Sequence, residues 1–213
     1  MITIWGRTTS SNVQIAMWTI GELGLQHHRR DVGGAFGGLD TDAFGAMNPN
    51  RRIPVLEDGD LVLWESAAIL RYLGAEYGDA AFWPADPAAR ARLDMWAEWV
   101  KTSVAPVLTY KVFWQLVRTA EAERNVALIS EGTGQLAGLM PMVDARLSGQ
   151  AYLGGDALSF ADIVLGHMLY RYMTLPFERA ATPALDAYYA RLCERPAFAE
   201  HVMVSYESLR VTA

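Results

Sequence analysis

The pattern of hydrophobic and polar positions changes character near residue 80. Before that point, short β-branched segments are interleaved with segments whose apolar residues recur every three or four positions. The first kind is typical of strands and the second of amphipathic helices. Gly24 stands where the first helix should end. The pattern predicts strands at residues 2–4, 28–31, 53–56 and 61–63, and helices at residues 11–23 and 66–77.

After residue 86 the pattern is helical throughout. One apolar stripe with a period of 3.6 residues predicts a long helix, which Pro106 should kink because proline has no N–H to donate. Further helices are predicted at residues 121–147, 160–172 and 184–193, and the second of these is apolar on almost every side. Residues 79–86 lack periodicity and read as a linker. The chain therefore divides into a mixed α/β domain at residues 1–78 and an all-helical domain at residues 87–213.

Composition narrows the possible functions. The 213 residues are 52% hydrophobic, but the apolar runs are too short to span a membrane. A formal net charge of −6 without a basic stripe argues against nucleic acid as a partner. The single cysteine, Cys193, excludes an internal disulfide framework, and no signal peptide is visible, so a cytoplasmic protein is expected. The pair His27-His28 has no metal-site spacing around it, and no metal is expected.

Two neighbouring segments predict a pocket for a small acidic peptide. Pro54 belongs at the start or edge of a strand, and a cis bond between Ile53 and Pro54 would turn the Ile53 backbone outward towards a peptide-like ligand. About ten residues later, Glu65 and Ser66 open an apolar helix, whose free amide groups can hold a carboxylate. The first segment can bind a peptide backbone and the second an acidic end.

These segments resemble those of the glutathione transferase family, and the resemblance covers nearly the whole chain. The stretch at residues 2–13 is similar to the family's first strand and its thiol-activating loop. Residues 159–163 resemble its helix-capping motif, and residues 195–198 its late helix junction. The resemblance implies a thioredoxin-like N-terminal domain with a mixed four-stranded sheet, followed by a helical-bundle domain. Residues 6–7 and 116–119 favour a bacterial branch that uses serine or asparagine, and neither tyrosine nor cysteine.

The resemblance also assigns roles to the residues that would bind glutathione. Ser10 is the best match to the hydroxyl that faces the thiol, Asn12 is a match to an amide used by some bacterial members, and Thr9 and Ser11 are reserves. Ser66 and Glu65 would bind the carboxylate and the ammonium of the γ-glutamyl end. The glycyl carboxylate would be reached by Arg52 or Asn50, beside the Ile53-Pro54 pair. The alternatives are ordinary helix caps at Ser10 and Ser66, and solvated side chains in the loop.

One face of the long helix is expected to line the pocket for the electrophile. Tyr110, Lys111, Trp114 and Arg118 are spaced so that two cations flank an indole. In the family's layout this end of the helix overlooks the thiol, and a cation there would favour anionic electrophiles. The alternative is that Lys111 and Arg118 are solvated or paired with Glu121 and Glu123.

The sequence thus predicts a homodimeric glutathione transferase with glutathione as co-substrate and small electrophiles as partners. The bound thiolate would attack a soft electrophilic carbon. Glutathione-dependent dehalogenation, isomerisation or peroxide reduction on the same scaffold remains open, as does a non-catalytic glutathione-binding module. Ser159 and Asp162 are expected to form a structural capping box.

Overall fold

The computed structural model describes residues 1–211. Its N-terminal domain contains a mixed four-stranded sheet in the order β2-β1-β3-β4. Strand β1 runs parallel to β2 and antiparallel to β3, and β3 pairs antiparallel with β4. The predicted thioredoxin-like sheet is therefore confirmed. The strands are β1 (Ile2–Trp5), β2 (His27–Arg30), β3 (Val55–Asp58) and β4 (Leu61–Trp64).

Three helices accompany this sheet: α1 (Ser11–Glu22), α2 (Asp42–Met47) and α3 (Ser66–Tyr77). Helix α1 ends as expected, because Gly24 adopts φ +64° directly after it. Helix α2 is too short for a periodic pattern to reveal, and it buries only Phe44. Apolar side chains from β1, β3, α1 and α3 form a compact core between the sheet and the two longer helices.

The C-terminal domain is helical, as predicted. Its first helix, α4 (Pro87–Trp99), continues into π-helical turns with i→i+5 hydrogen bonds at Val100–Val104 and Val107–Phe113, and then into α5 (Trp114–Val117). Pro106 lies between the two π segments and has helical backbone angles, so the helix continues through it. The effect of the proline is seen in the change from i→i+4 to i→i+5 hydrogen bonds on either side. The remaining helices are α6 (Val126–Leu147), α7 (Phe160–Gly166), α8 (Leu169–Thr174), α9 (Pro183–Cys193) and α10 (Pro196–His201).

Two of the predicted helices differ from the observed ones by more than one residue. Helix α6 begins at Val126 and not at residue 121, because the Asn125 side chain caps it by accepting from the Leu128 N–H at 3.0 Å. The apolar segment at residues 160–172 is two helices separated at His167 and Met168. Within residues 1–211, no helix is long and apolar enough to cross a membrane.

Helix α7 is the centre of the larger core, and every residue of it is buried. The capping box at its start is present, with the Asp162 carboxylate accepting from the Ser159 N–H at 2.8 Å. A close approach joins this helix to α1, because a Cβ at Gly166 would lie 2.5 Å from the Trp18 ring. Packing of α1 against α7 and α10 joins the two domains and fixes the loop before α1 relative to the helical domain.

Candidate functional site

The loop at residues 9–12 leads from β1 into α1 and carries polar side chains at the helix start. Ser10 is the N-cap residue with an extended backbone, and its hydroxyl makes no capping hydrogen bond. Its carbonyl accepts the Gln14 N–H at 2.9 Å, which is the first bond of the helix. The amide groups at the beginning of α1 therefore have no partner inside the helix. A free hydroxyl and the positive end of a helix dipole coincide here, which suits a negatively charged ligand atom.

Asn12 and Ser66 are brought together with a residue that sequence reasoning missed, Lys101. The Ser66 hydroxyl lies 3.2 Å from Asn12 Oδ1, and Lys101 Nζ lies 3.1 Å from Ser66 Oγ and 3.4 Å from Asn12 Oδ1. Burial lowers the pKa of Lys101, and the negative charge of Glu65 partly opposes that shift. Lys101 lies between the buried residues Val100 and Val104 on the π-helical segment. A charged residue next to the apolar stripe was the one feature of the sequence that could have indicated its role.

The predicted peptide-binding edge has the expected backbone form. The peptide bond between Ile53 and Pro54 is cis. Strand β3 begins only at Val55, so Ile53 precedes the paired part of the strand. Asn50 and Arg52 are exposed beside it. The segment is held by Asn48, whose amide nitrogen donates to the Arg52 carbonyl at 2.7 Å.

Glu65 has a backbone conformation that few residues of its type adopt. Its φ of +73° lies in the left-handed region, where a side chain costs conformational energy. Such outliers concentrate at functional sites because the surrounding structure must hold them in place. Glu65 is exposed, and it directly precedes buried Ser66 at the start of α3.

A cleft of about 130 Å³ lies between the loop at residues 9–12 and the long helix. Tyr110 lines it, and its ring meets that of Trp114 edge-on with 4.9 Å between centroids. His167 also faces the cleft, at the break between α7 and α8. Burial, followed by the charge of Lys101, lowers the pKa of His167 to about 3, so its ring is neutral near pH 7. Eight residues line the cleft: Ser11, Asn12, Lys101, Ala105, Pro106, Thr109, Tyr110 and His167.

The structure places Lys111 away from this cleft. Its ammonium pairs with Glu131 of α6 at 2.6 Å, and Gln135 accepts from it at 3.2 Å. Close packing at Gly132 explains this, since a Cβ there would lie 2.7 Å from the Lys111 Cβ. The predicted pair of cations around Trp114 is therefore wrong, and Arg118 alone lies over that ring, 5.2 Å from its centroid.

Thr9 accepts hydrogen bonds from two arginine side chains. Its hydroxyl accepts from Arg7, and its carbonyl accepts from Arg171 at 2.8 Å. Arg171 was also missed, although it is the one charged side chain besides Asp162 in the apolar segment at residues 160–172. Within residues 1–211, no group of three or more His, Cys, Asp or Glu side chains is arranged to hold a metal ion.

Comparison with known proteins gives the same picture over nearly the whole chain. The family model of the glutathione S-transferase N-terminal domain matches residues 9–76, and that of the C-terminal domain matches residues 104–196. Glutathione S-transferase GstB of Escherichia coli strain K12 is 36% identical over 207 residues, which is 96% of this chain and 99% of that protein. Glutathione S-transferase 3 of Zea mays is 32% identical over 93% of this chain and 92% of its own length.

Solved structures agree with the sequence relatives. The theta class glutathione S-transferase of Xanthomonas axonopodis pv. citri, crystallised with glutathione bound, superposes with a TM-score of 0.90 at 47% identity. That comparison covers 96% of this chain and 98% of the other. The apo form of the same transferase superposes with a TM-score of 0.83.

Proposed function

This chain belongs to the glutathione S-transferase family, and from that premise we propose how its own residues bind glutathione and activate the thiol. The observation that carries the proposal is the contact between the starts of α1 and α3, where the Ser66 hydroxyl lies 3.2 Å from Asn12 Oδ1 and Lys101 contacts both side chains. The third element is the unpaired backbone at Ile53 before β3. Each offers the kind of group that one part of glutathione requires.

The γ-glutamyl end of glutathione lies at the start of α3 in this proposal. Ser66 and the free amides there bind its carboxylate, Lys101 adds a positive charge 3.1 Å from the Ser66 hydroxyl, and Glu65 pairs with the ammonium. The Ile53 backbone pairs with the peptide groups in the middle of the ligand, and Arg52 or Asn50 reaches the glycyl carboxylate. The thiol then lies at the start of α1.

The reaction needs the thiolate, because the thiol itself is a weak nucleophile. A free thiol has a pKa of ~8.5, and lowering it by about two units requires roughly 2.7 kcal/mol of preferential thiolate stabilisation. The Ser10 hydroxyl and the dipole of α1 supply that stabilisation, with Asn12 as the alternative donor. The sulfur attacks an electrophilic carbon in the cleft, the leaving group departs with its bonding electrons, and the thiol proton goes to solvent.

The overall proposal is tested with the intact protein by two measurements. Calorimetry should detect glutathione binding at a millimolar to micromolar Kd, roughly −4 to −8 kcal/mol. Conjugation of 1-chloro-2,4-dinitrobenzene, followed by absorbance and by halide release, should then show turnover. Binding without turnover over a broad panel of electrophiles would favour a non-catalytic module instead.

Ser66→Ala is expected to weaken glutathione binding by about 1.5–3 kcal/mol, because it removes a charge-assisted hydrogen bond to the carboxylate. Titration calorimetry of wild type and variant measures the difference. Ser130→Ala, a substitution of an exposed serine on α6, is the matched control and should bind as the wild type does. Unchanged affinity in Ser66→Ala would remove this residue from the site.

We also propose that the protein works as a homodimer in the cytoplasm. Strand β4 is an edge strand that exposes three large apolar side chains, Leu61, Val62 and Trp64. Edges of this kind are normally covered, and a second copy would cover this one. Light scattering should give about twice the 23.5 kDa of one chain. A mass equal to one chain would contradict the homodimer. Recovery of the protein outside the cytoplasmic fraction of lysed cells would contradict the cytoplasmic location.

A further inference from the structure

We propose that Arg7, Arg118 and Arg171 form a subsite for an anionic group on the electrophile, such as a carboxylate. The inference rests on the proposed position of the thiol, and it names the class of electrophile that the site prefers. It replaces the predicted role of Lys111, which pairs with Glu131 instead.

The three arginines come from separate parts of the chain and are held by identified contacts. Arg171 of α8 is buried, with its guanidinium 4.2 Å from the centre of the Phe113 ring and Nη2 donating to the Thr9 carbonyl. Arg7, from the loop after β1, donates to the Thr9 hydroxyl. Arg118, at the end of α5, lies over the Trp114 ring. Arg7 and Arg171 thus both donate to Thr9. Arg118 lies about one helical turn after Phe113, the residue whose ring Arg171 covers.

The cluster has no acidic partner in the described part of the chain. Among residues 1–211, no Asp or Glu lies within salt-bridge distance of any of the three guanidinium groups. The Nε of Arg7 is buried and has no hydrogen-bond partner within the same residues. Arg171 is buried, Arg7 is half-buried and Arg118 is exposed, and like charges held near one another without a counter-ion are costly. An external anion supplies the missing negative charge at the exposed Arg118 and the half-buried Arg7.

The mutual influence of the arginines agrees with this geometry. Burial first, and then the positive charges of Arg7 and Arg118, lower the pKa of Arg171 to about 10. Burial and the charge of Arg118 likewise lower the pKa of Arg7. Arginine side chains carry a positive charge at neutral pH, so the combined field of the cluster attracts an anion.

The position of the cluster fixes its role in the reaction. Arg7 and Arg171 hold Thr9, the residue directly before Ser10, so a bound anion lies beside the proposed thiolate. The exposed ring of Trp114 offers an apolar surface for the body of the electrophile. In the step itself, the thiolate sulfur forms a bond to the carbon that bears the halide. The halide leaves with the electrons of its bond to carbon, and the anionic group is unchanged.

The test compares two aryl chlorides of equal size, 4-chloro-3-nitrobenzoate and 4-chloro-3-nitrobenzamide. For each, kcat/KM is divided by the rate constant of the uncatalysed reaction with glutathione, which removes the difference in intrinsic reactivity. We expect the wild type to favour the carboxylate by about 10–100-fold. The preference should fall towards one in Arg118→Gln and in Arg7→Gln, and it should shrink with added salt. Arg92→Gln, which removes an exposed arginine on α4, should keep it.

A second measurement tests the subsite independently of turnover. Calorimetry compares binding of the glutathione conjugates of the two compounds, which are the products of the reaction. If the carboxylate conjugate binds more tightly and Arg118→Gln abolishes that difference, the subsite is supported. This holds even if neither chloride reacts, in which case only the transferase proposal fails. Equal affinities of the two conjugates, or a preference that survives both arginine substitutions, overturn the subsite whether or not the enzyme is active.

Discussion

Asp162→Ala is expected to lower the free energy of unfolding by about 3–5 kcal/mol, the largest stability effect of any substitution considered. The Asp162 carboxylate is fully buried and accepts four hydrogen bonds. Its donors are the Leu153 N–H at 2.9 Å, the Ser159 N–H at 2.8 Å, the Ser159 hydroxyl at 2.7 Å and the Tyr188 hydroxyl at 3.0 Å. Alanine would leave all four donors buried without an acceptor, and each unsatisfied group costs free energy. Urea denaturation followed by circular dichroism measures the change.

Two further variants separate the network from a simple loss of side-chain volume. Asp162→Asn keeps the shape but presents N–H groups to donors, so it should be destabilised nearly as strongly. Asp156→Ala, which removes an exposed carboxylate in the preceding loop, should stay within ~0.5 kcal/mol of the wild type. A loss of less than ~1 kcal/mol in Asp162→Ala would mean that the four hydrogen bonds do not hold α7 in place.

The sequence was most informative where structure is decided by near neighbours. Alternation of Ile2 and Ile4 with partly exposed residues marked β1, and Gly24 marked the end of α1. The spacing of Ser159 and Asp162 marked the start of α7. The end of α1 and the start of α7 are set by contacts between near neighbours in the chain, and the β1 pattern reflects the alternation of side chains that any strand shows.

Lys101 and Arg171 could not be found in this way. Lys101 reaches Ser66 from 35 positions away, and Arg171 reaches Thr9 from 162 positions away. Those contacts depend on how the two domains pack, which includes the approach of Gly166 to Trp18 and of Gly21 to Ala197. The available signal was a charged residue within an apolar helical segment, because such a residue is rarely buried without a partner or a function.

The error at Lys111 has a different physical origin. Its assignment to the same face as Trp114 and Arg118 assumed a regular period of 3.6 residues. Residues Val107–Phe113 instead form i→i+5 hydrogen bonds, which change the rotation per residue along the helix. A helical wheel therefore misplaces side chains on either side of this segment, and Lys111 faces Glu131.

Ser10→Ala should lower kcat near neutral pH by about 10²-fold. A loss of this size is typical when an enzyme loses one hydrogen-bond donor to a negatively charged atom in its active site. The variant should also raise the pKa of the bound thiol, while leaving glutathione affinity nearly unchanged, because Ser66 and Ile53 hold the rest of the ligand. Ser10 is the N-cap of α1 with an uncommitted hydroxyl. Ultraviolet titration of the thiolate in the glutathione complex measures the pKa, and steady-state kinetics measure kcat.

Asn12→Ala is the comparison that decides between the two candidate donors. The Asn12 side chain already contacts Ser66 and Lys101, so its removal should weaken glutathione binding more than it shifts the thiol pKa. Ser11→Ala and Thr9→Val test the reserve hydroxyls, and Thr9→Val keeps the carbonyl that Arg171 contacts. If Ser10→Ala is silent and Asn12→Ala raises the thiol pKa, the activating donor is Asn12. If none of the four substitutions moves the pKa, the α1 amides alone stabilise the thiolate, since the backbone N–H groups at Ser11 and Asn12 are present in every variant.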